Sequence, residues 1–105
     1  MWYYDGMEKA KNDEKILAEA AKIIRGHLGE KCKVFLFGSR ADGTARERSD
    51  YDIGILPENE LKNGELGEIK EELENLPTLY KIDVVDFSNV SENFYTVAMQ
   101  NIINL

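Results

Sequence analysis

Two short motifs in the middle of the chain combine residue types suited to phosphate and metal chemistry. Gly38 and Ser39 follow an apolar run, and ten residues later Asp50 and Asp52 stand at the head of a second apolar run. A Gly-Ser turn after a strand presents backbone N–H groups and a hydroxyl that attract phosphate oxygens. Two carboxylates one residue apart offer the hard oxygen ligands that Mg²⁺ or Mn²⁺ prefers. Together the motifs indicate magnesium–nucleotide chemistry.

A third carboxylate is predicted from the alternation of side chains along strands. Asp50 and Asp52 share one strand face, about 6.6–7 Å apart, and their like charges repel unless a cation lies between them. In the run 82–87, Asp83 stands between an isoleucine and a valine that are natural core residues. We therefore expect Asp83 on the same face as the acidic pair. Asp86 is three positions further along, so its side chain is expected to point to the opposite face of the strand. It is expected at the strand end, either solvated or capping a turn.

Each motif also has a plainer interpretation. A lone Gly-Ser is often an ordinary turn, and a lone Asp-x-Asp is often a solvated strand edge. The turn is not a Walker A loop, because the Gly-Lys-Ser/Thr element is missing. Arg40 is interpreted as a phosphate contact. Arg46 and Arg48 stay open between a phosphate contact and solvated loop residues.

Hydrophobic spacing predicts the elements that must position these groups. A first helix is expected to begin at the capping residue Asn12 and to end before Gly29. A second, short helix is expected from Ser39 to about Arg46, and a third carries an apolar stripe and ends at Pro77. The stripe of the third helix is Leu66, Ile69, Leu73 and Leu76, and the predicted strands are Lys33–Phe37, Tyr51–Leu56 and Lys81–Phe87.

A last helix is expected after its capping residue Ser91. Its apolar positions are predicted to face the core rather than a partner; they are Phe94, Val97, Ala98, Ile102 and Leu105. The element order α-β-(α)-β-α-β-α predicts an α/β fold with a small mixed sheet flanked by helices.

Length and composition predict one domain over residues 1–105, with 1–11 a candidate for a loosely ordered N-terminal extension. The aromatic cluster Trp2-Tyr3-Tyr4 in that extension is left open between packing on its own domain and contacting a partner. The net charge of −7, from 20 acidic and 13 basic residues, argues against general nucleic-acid binding and against binding an anionic membrane.

The single cysteine, Cys32, excludes an internal disulfide and is predicted to be a small buried hydrophobe. His27 is predicted to be a surface histidine in the last turn of the first helix, where it complements the helix dipole. Neither a membrane span nor a signal peptide is visible in the sequence, so a cytoplasmic setting is expected.

The motif residues together resemble a known family. Gly38-Ser39-Arg40-Ala41 followed by Asp50-Tyr51-Asp52, with a third aspartate in an apolar strand, is similar to the polymerase β-like nucleotidyltransferase superfamily. The closer likeness is to its minimal, MNT-type members, which are small and single-domain. The resemblance covers roughly residues 13–105.

The resemblance implies an activity: transfer of a nucleoside monophosphate, with AMP from ATP expected, to a hydroxyl acceptor, with release of pyrophosphate. Asp50 and Asp52 would bridge two Mg²⁺ ions, with Mn²⁺ as a substitute. Asp83 would hold the ion that activates the acceptor. Gly38 and Ser39 would hold the β- and γ-phosphates.

The resemblance also implies a partner. Many minimal members act as the antitoxin of a HEPN-domain RNase toxin, some by adenylylating a toxin tyrosine. Two other interpretations stay open: a non-catalytic module that neutralises a HEPN toxin by contact, and a subunit that binds nucleotide without turnover. The base, the acceptor and a homo-oligomeric state are not indicated by the sequence.

Two residues depart from the family pattern. Asp42 stands where many relatives carry a basic residue, which places a negative charge near the expected triphosphate. Gly54 replaces a larger apolar residue, and is expected either to loosen its strand or to leave room for a nucleobase.

Overall fold

The chain folds into one mixed sheet with helices on both faces. The computed structural model describes residues 2–45 and 50–105, with side chains from Glu14 onward. Within these ranges the sheet has four strands in the order β3-β2-β1-β4. The elements in chain order are α1 (Trp2–Leu28), β1 (Lys33–Phe37), α2 (Ser39–Asp42), β2 (Tyr51–Leu56), α3 (Glu65–Glu74), β3 (Ile82–Asp86), a 3₁₀ turn (Phe87–Asn89), α4 (Glu92–Ala98) and β4 (Ile103–Asn104).

The strand directions bring the candidate site residues to one end of the sheet. β1 is antiparallel to β2, with Phe37 opposite Asp52, whereas β2 is parallel to β3, with Asp52 beside Asp83. The end of β1 and the beginnings of β2 and β3 therefore meet at the same sheet end. The predicted α/β fold with a small mixed sheet is confirmed.

One face of the sheet is covered by α1 and α3. Side chains of alternate strand positions point to these helices and are almost fully buried, as the period of two requires. The buried set on this face is Ala20, Ala21, Ile24, Cys32, Val34, Leu36, Tyr51, Ile53, Ile55, Ile69, Leu73 and Val84. The predicted stripe of the third helix therefore faces the core, and Cys32 is a buried residue as predicted.

The opposite face carries a smaller, aromatic cluster. Phe35 and Phe37 from β1 meet Phe87 edge-to-face, each with ring centroids 4.9 Å from those of Phe87. Gly54 of β2 lies beneath them: a Cβ there would overlap the Phe35 ring and lie 2.7 Å from Phe87 Cε1. The expectation that Gly54 leaves room for a nucleobase is wrong, because two phenylalanine rings fill that space.

Two helix boundaries differ from the prediction. α1 begins at Trp2, ten residues before the predicted cap at Asn12. The intervening residues include alanine, glutamate and lysine, which are good helix formers, so one capping residue does not stop the helix. α2 ends at Asp42, because Gly43 adopts a left-handed conformation with φ 85° that terminates it. Side chains of Trp2, Tyr3 and Tyr4, and all of Arg46 and Arg48, lie outside the described residues.

The predicted inward stripe of the last helix is wrong in part. α4 ends at Ala98, and the chain then turns back to form β4 on β1. Ala98 and Ile102 pack against the aromatic cluster, and the ring of Phe94 also contacts it, with centroids 6.0 Å from Phe37 and 5.5 Å from Phe87, although Phe94 stays 42% exposed. Val97 is 68% exposed, so the prediction is wrong for this position, and the helix ends before Ile102.

Two side-chain contacts join α1 to other parts of the fold. His27 Nε2 lies 2.7 Å from Glu72 Oε2, which joins the last turn of α1 to α3. Arg25 Nη2 donates to the carbonyl of Leu105 at 2.8 Å. In the part of the chain described here, none of the helices combines the length and the apolar character that a bilayer span needs.

Candidate active site

The Gly38–Ser39 turn is built so that only glycine fits at its first position. Gly38 has φ 74°, a left-handed value that favours glycine, and a Cβ there would lie 2.7 Å from Asp52 Oδ2. The carbonyl of Gly38 accepts from the N–H groups of Ala41 and Asp42, each at 3.0 Å, which starts α2 immediately after β1. The Asp52 carboxylate thus lies so close to the turn that no side chain fits between them.

Three carboxylates surround the same end of the sheet. Asp50 is exposed just before β2, Asp52 is the second residue of β2, and Asp83 is the second residue of β3. Partial burial raises the pKa of the Asp52 carboxyl, and the negative charges of Asp83 and Asp50 raise it further. Asp83 lies beside Asp52 in the parallel register, so the prediction that the two residues share one face of the sheet is confirmed.

These carboxylates are neighbours, but their side chains do not form a ready ligand set. Among the residues that the structure describes, no three His, Cys, Asp or Glu side chains are grouped closely enough to hold a metal ion as they stand. Asp83 Oδ1 lies 3.8 Å from Lys81 Nζ. The donor chemistry nevertheless fits Mg²⁺, since all three groups are hard oxygen donors whose mutual repulsion a cation would relieve. Metal binding by Asp50, Asp52 and Asp83 stays a prediction.

Asp86 has a structural role. It is 8% exposed and belongs to the sheet face that α1 and α3 cover. Its carboxylate accepts from Ser88 N at 3.0 Å and Asn89 Nδ2 at 2.9 Å. These bonds cap the 3₁₀ turn after β3. The sequence left two roles open for Asp86, a solvated residue or a turn cap. The structure supports the turn cap.

The negative charge of Asp42 is turned toward its own loop. Its Oδ1 accepts from Thr44 N at 2.9 Å and from Thr44 Oγ1 at 2.6 Å, and these bonds hold the pKa of the exposed carboxyl below its usual value. Asp42 is the last residue of α2, three positions beyond Ser39. A phosphate near Ser39 would therefore face the beginning of the helix, and Asp42 lies at its end.

Arg40 lies against two tyrosines. Its guanidinium carbon is 4.5 Å from the ring centroid of Tyr51 and 5.0 Å from that of Tyr80. The two rings meet edge-to-face with centroids 5.5 Å apart. The sequence drew attention to Arg40 but not to either tyrosine, because an aromatic residue before an aspartate or a lysine is no signal by itself.

A cleft of ≈ 230 Å³ adjoins the Gly38–Ser39 turn and lies between α2 and α4. Phe94 and Val97 give it an apolar wall, and Asn101 supplies an amide. Sequence reasoning missed Asn101, because it predicted a helix through this position.

A Gly-Ser turn and acidic residues from two neighbouring strands, at one end of a small mixed sheet, define a nucleotidyltransferase-type α/β domain. The family model described as Polymerase beta, Nucleotidyltransferase matches residues 10–104, and the chain belongs to this family. The resemblance inferred from the motifs is confirmed.

Two curated relatives are protein adenylyltransferases. The chain is 33% identical over 73 residues to the probable protein adenylyltransferase MntA of Haemophilus influenzae, covering 70% of this chain and 64% of that protein. It is 29% identical over 92 residues to the protein adenylyltransferase MntA of Shewanella oneidensis, covering 88% of this chain and 60% of that protein. The chain thus spans less than two thirds of the length of either relative.

Solved structures with the same fold include toxin–antitoxin complexes. One, a toxin–antitoxin with AMP-PNP, has a TM-score of 0.69 at 25% identity and covers 84% of this chain and 70% of that chain. Another, a tri-AMPylated Shewanella oneidensis HEPN toxin with MNT antitoxin, has a TM-score of 0.66 at 21% identity and covers 87% and 69% of the two chains. The second likeness is one of fold alone.

Proposed function

We propose that this protein is a magnesium-dependent adenylyltransferase that transfers AMP from ATP to a hydroxyl of a partner protein. The partner is proposed to be a HEPN-domain toxin, which the protein counteracts as an antitoxin. The names of the two relatives support the reaction. The likeness to a toxin–antitoxin complex at 25% identity supports the antitoxin role.

The observation that carries the proposal is the close approach of the Asp52 carboxylate to the phosphate turn. A side chain at Gly38 would lie 2.7 Å from Asp52 Oδ2, so the turn and the carboxylate share one small space. A triphosphate bound at the Gly38–Ser39 backbone would lie close to Asp52. A cation held by Asp52 would then balance the phosphate charge, which is what nucleotidyl transfer needs.

The phosphate turn and the three carboxylates are proposed to have separate roles. Backbone N–H groups at the turn and the Ser39 hydroxyl would bind the β- and γ-phosphates. Asp50, Asp52 and Asp83 would hold Mg²⁺, which when bound supplies positive charge for the triphosphate and lowers the pKa of the acceptor hydroxyl. The acceptor oxygen forms a bond to the α-phosphorus, the bond from that phosphorus to the bridging oxygen breaks, and pyrophosphate leaves while the hydroxyl proton passes to solvent.

The experiment that tests this function follows the label from ATP to protein. The chain is incubated with α-labelled ATP, Mg²⁺ and a HEPN-domain protein from the same organism. We expect the label on the HEPN protein, together with a mass increase of one or more adenylyl groups. Asp52→Asn removes one ionic ligand at nearly constant volume and is expected to lower the rate at least about a hundredfold.

The matched control is Asp42→Asn, which removes an acidic charge close to the same turn. Since the Asp42 carboxylate is held by Thr44, this variant is expected to keep the wild-type rate within about threefold. No label transfer by the wild-type chain with Mg²⁺ or Mn²⁺ would refute the enzyme. If the Asp52→Asn chain still silences the HEPN protein fully, neutralisation by contact is the correct function instead.

A further inference from the structure

A cation–aromatic cluster connects the three parts of the candidate site. We define the Arg40 cluster as Arg40, Tyr51 and Tyr80, whose guanidinium-to-ring distances are 4.5 Å and 5.0 Å. A planar guanidinium stacks favourably on aromatic faces and keeps its fixed geometry there. The position of Arg40 is therefore tied to both rings.

Each member of the cluster is next to one part of the site in the chain. Arg40 follows the Gly38–Ser39 turn directly, and Tyr51 stands between the two aspartates of β2. Tyr80 precedes β3, and the neighbouring carbonyl of Lys81 accepts from Tyr51 N at 2.9 Å. The cluster thus bridges the turn, the acidic pair and the strand that carries Asp83.

The helix that follows the turn is not anchored by core packing. α2 contains four residues, and none of those four is buried. The hydrogen bonds from Ala41 and Asp42 to Gly38 shape the turn internally but do not join it to β2 or β3. Core packing cannot hold such a segment, because it contributes no side chain to the core. Tyr51, in contrast, is 4% exposed and belongs to the rigid sheet.

We propose that the Arg40 cluster is a positioning device that sets the phosphate turn relative to the three carboxylates, with Tyr51 and Tyr80 acting through Arg40. On this proposal Arg40 holds the Gly38–Ser39 turn in position and does not itself bind phosphate. The proposal deepens the adenylyltransferase function and, in its kinetic form, depends on it.

The kinetic test removes Tyr80, the less buried of the two rings. Tyr80→Leu is expected to lower kcat for adenylyl transfer to the HEPN protein by tenfold to a hundredfold, roughly the effect of a small misplacement of reacting groups. The KM for ATP is expected to change less than about threefold, because the turn itself is intact. Tyr80→Phe keeps the ring and is expected to retain wild-type kcat. Leu79→Ala, at the fully exposed neighbouring position, is the control and should be silent.

A double-variant cycle separates positioning from direct phosphate binding. If Arg40 and Tyr80 act as one unit, Arg40→Met with Tyr80→Leu is expected to be no slower than the slower single variant. If instead Arg40→Met raises the KM for ATP tenfold or more, and the effect of Tyr80→Leu adds independently, Arg40 is a phosphate ligand and the proposal is wrong.

An activity-independent measurement keeps this inference separate from the proposed function. The amides of Ala41 and Asp42 in α2 are expected to exchange with deuterium about tenfold faster in Tyr80→Leu than in wild type, and at the wild-type rate in Tyr80→Phe. Thermal melting of each variant shows whether the fold is retained. If amide exchange is unchanged in a folded Tyr80→Leu chain, the positioning role is wrong. If exchange is faster in Tyr80→Leu but the wild-type chain transfers no adenylyl group, only the proposed enzyme activity is refuted.

Discussion

Gly54 shows how a single missing side chain can organise one face of a sheet. It lies in the central strand β2, where the rings of Phe35 and Phe87 occupy the volume that a Cβ would need. Those rings form the aromatic cluster under α4, on the same face as Asp52 and Asp83. A glycine in a strand interior costs conformational entropy, and here the close approach of two rings is its compensation.

We expect Gly54→Ala to lower the free energy of unfolding by about 1–3 kcal/mol, because the added methyl must displace one ring or the strand. Chemical denaturation measures the change. The matched control is Gly67→Ala in α3, where a Cβ meets nothing within 4 Å. That variant is expected to stabilise the protein by about 0.5–1 kcal/mol, since it only restricts the unfolded chain. Equal effects of the two alanines would contradict this account.

The burial of Cys32 predicts that the free energy of unfolding depends on pH in the alkaline range. Burial raises the pKa of its thiol above the ordinary value of 9.0, so the folded chain keeps a proton that the unfolded chain has lost. The contribution to stability is complete below the unfolded pKa and is lost as pH rises through the folded pKa. Between about pH 8 and pH 10, wild type is expected to lose more unfolding free energy than Cys32→Ala, as urea titrations would measure. Parallel pH profiles would contradict this.

Single residues differ in how far the sequence predicts them. Side-chain parity separated Asp83 from Asp86 correctly, because alternation along a strand is a local property. The space beside Gly54 and the neighbours of Arg40 could not be predicted, since both depend on residues that come from other elements. Tyr80 reaches Arg40 across 40 positions of sequence, and no local pattern carries that contact.

At the scale of elements, β4 is the least obvious part of the fold. It is only two residues long, and it pairs Asn104 with Phe35 and Ile103 with Leu36. Two further hydrogen bonds hold its end: Leu105 N to Val34 O at 2.8 Å, and Arg25 Nη2 to Leu105 O at 2.8 Å. A strand this short carries no recognisable alternation, which explains why the sequence predicted helix there.

Arg25→Met is expected to loosen β4 while leaving the rest of the sheet intact. A hydrogen bond from a charged group contributes about 1.5–3 kcal/mol, and the half-exposed site reduces this to about 1 kcal/mol. We expect faster hydrogen exchange at the Leu105 amide with unchanged exchange at Ile53. Lys22→Met, an exposed position on the same helix, is the control and should leave Leu105 unchanged. Equal acceleration at Ile53 would instead mean global destabilisation.

At the scale of the whole molecule, acidic charge is concentrated where the site needs a cation. The chain carries a net charge of −7, and three of its carboxylates lie at one end of the sheet, where Asp50 and Asp83 are near enough to raise the pKa of Asp52. Their mutual repulsion is an unfavourable term in the fold, as the raised pKa of Asp52 indicates. A bound divalent cation would convert this repulsion into attraction.

We therefore expect Mg²⁺ to raise the melting temperature of the wild-type chain. A ligand that binds only the folded state adds about 2.7 kcal/mol at 100 times its dissociation constant. Differential scanning fluorimetry with MgCl₂ against matched NaCl separates binding from ionic screening. Asp52→Asn is expected to abolish most of the shift, whereas Asp42→Asn is expected to keep it. An equal shift in both variants would contradict a site at Asp52.

The sheet also has a second end, and the strand directions determine what is found there. β2 runs away from the candidate site, so the segment that follows Leu56 begins at the opposite edge of the molecule. Its residues Glu58, Asn59, Glu60, Lys62 and Asn63 are exposed. Exposed polar loop tips of this kind accept inserted sequence with little cost to folding. A fluorescent or affinity tag placed within 58–60, before the core-packed Leu61, would therefore follow the protein in cells while lying far from the candidate site.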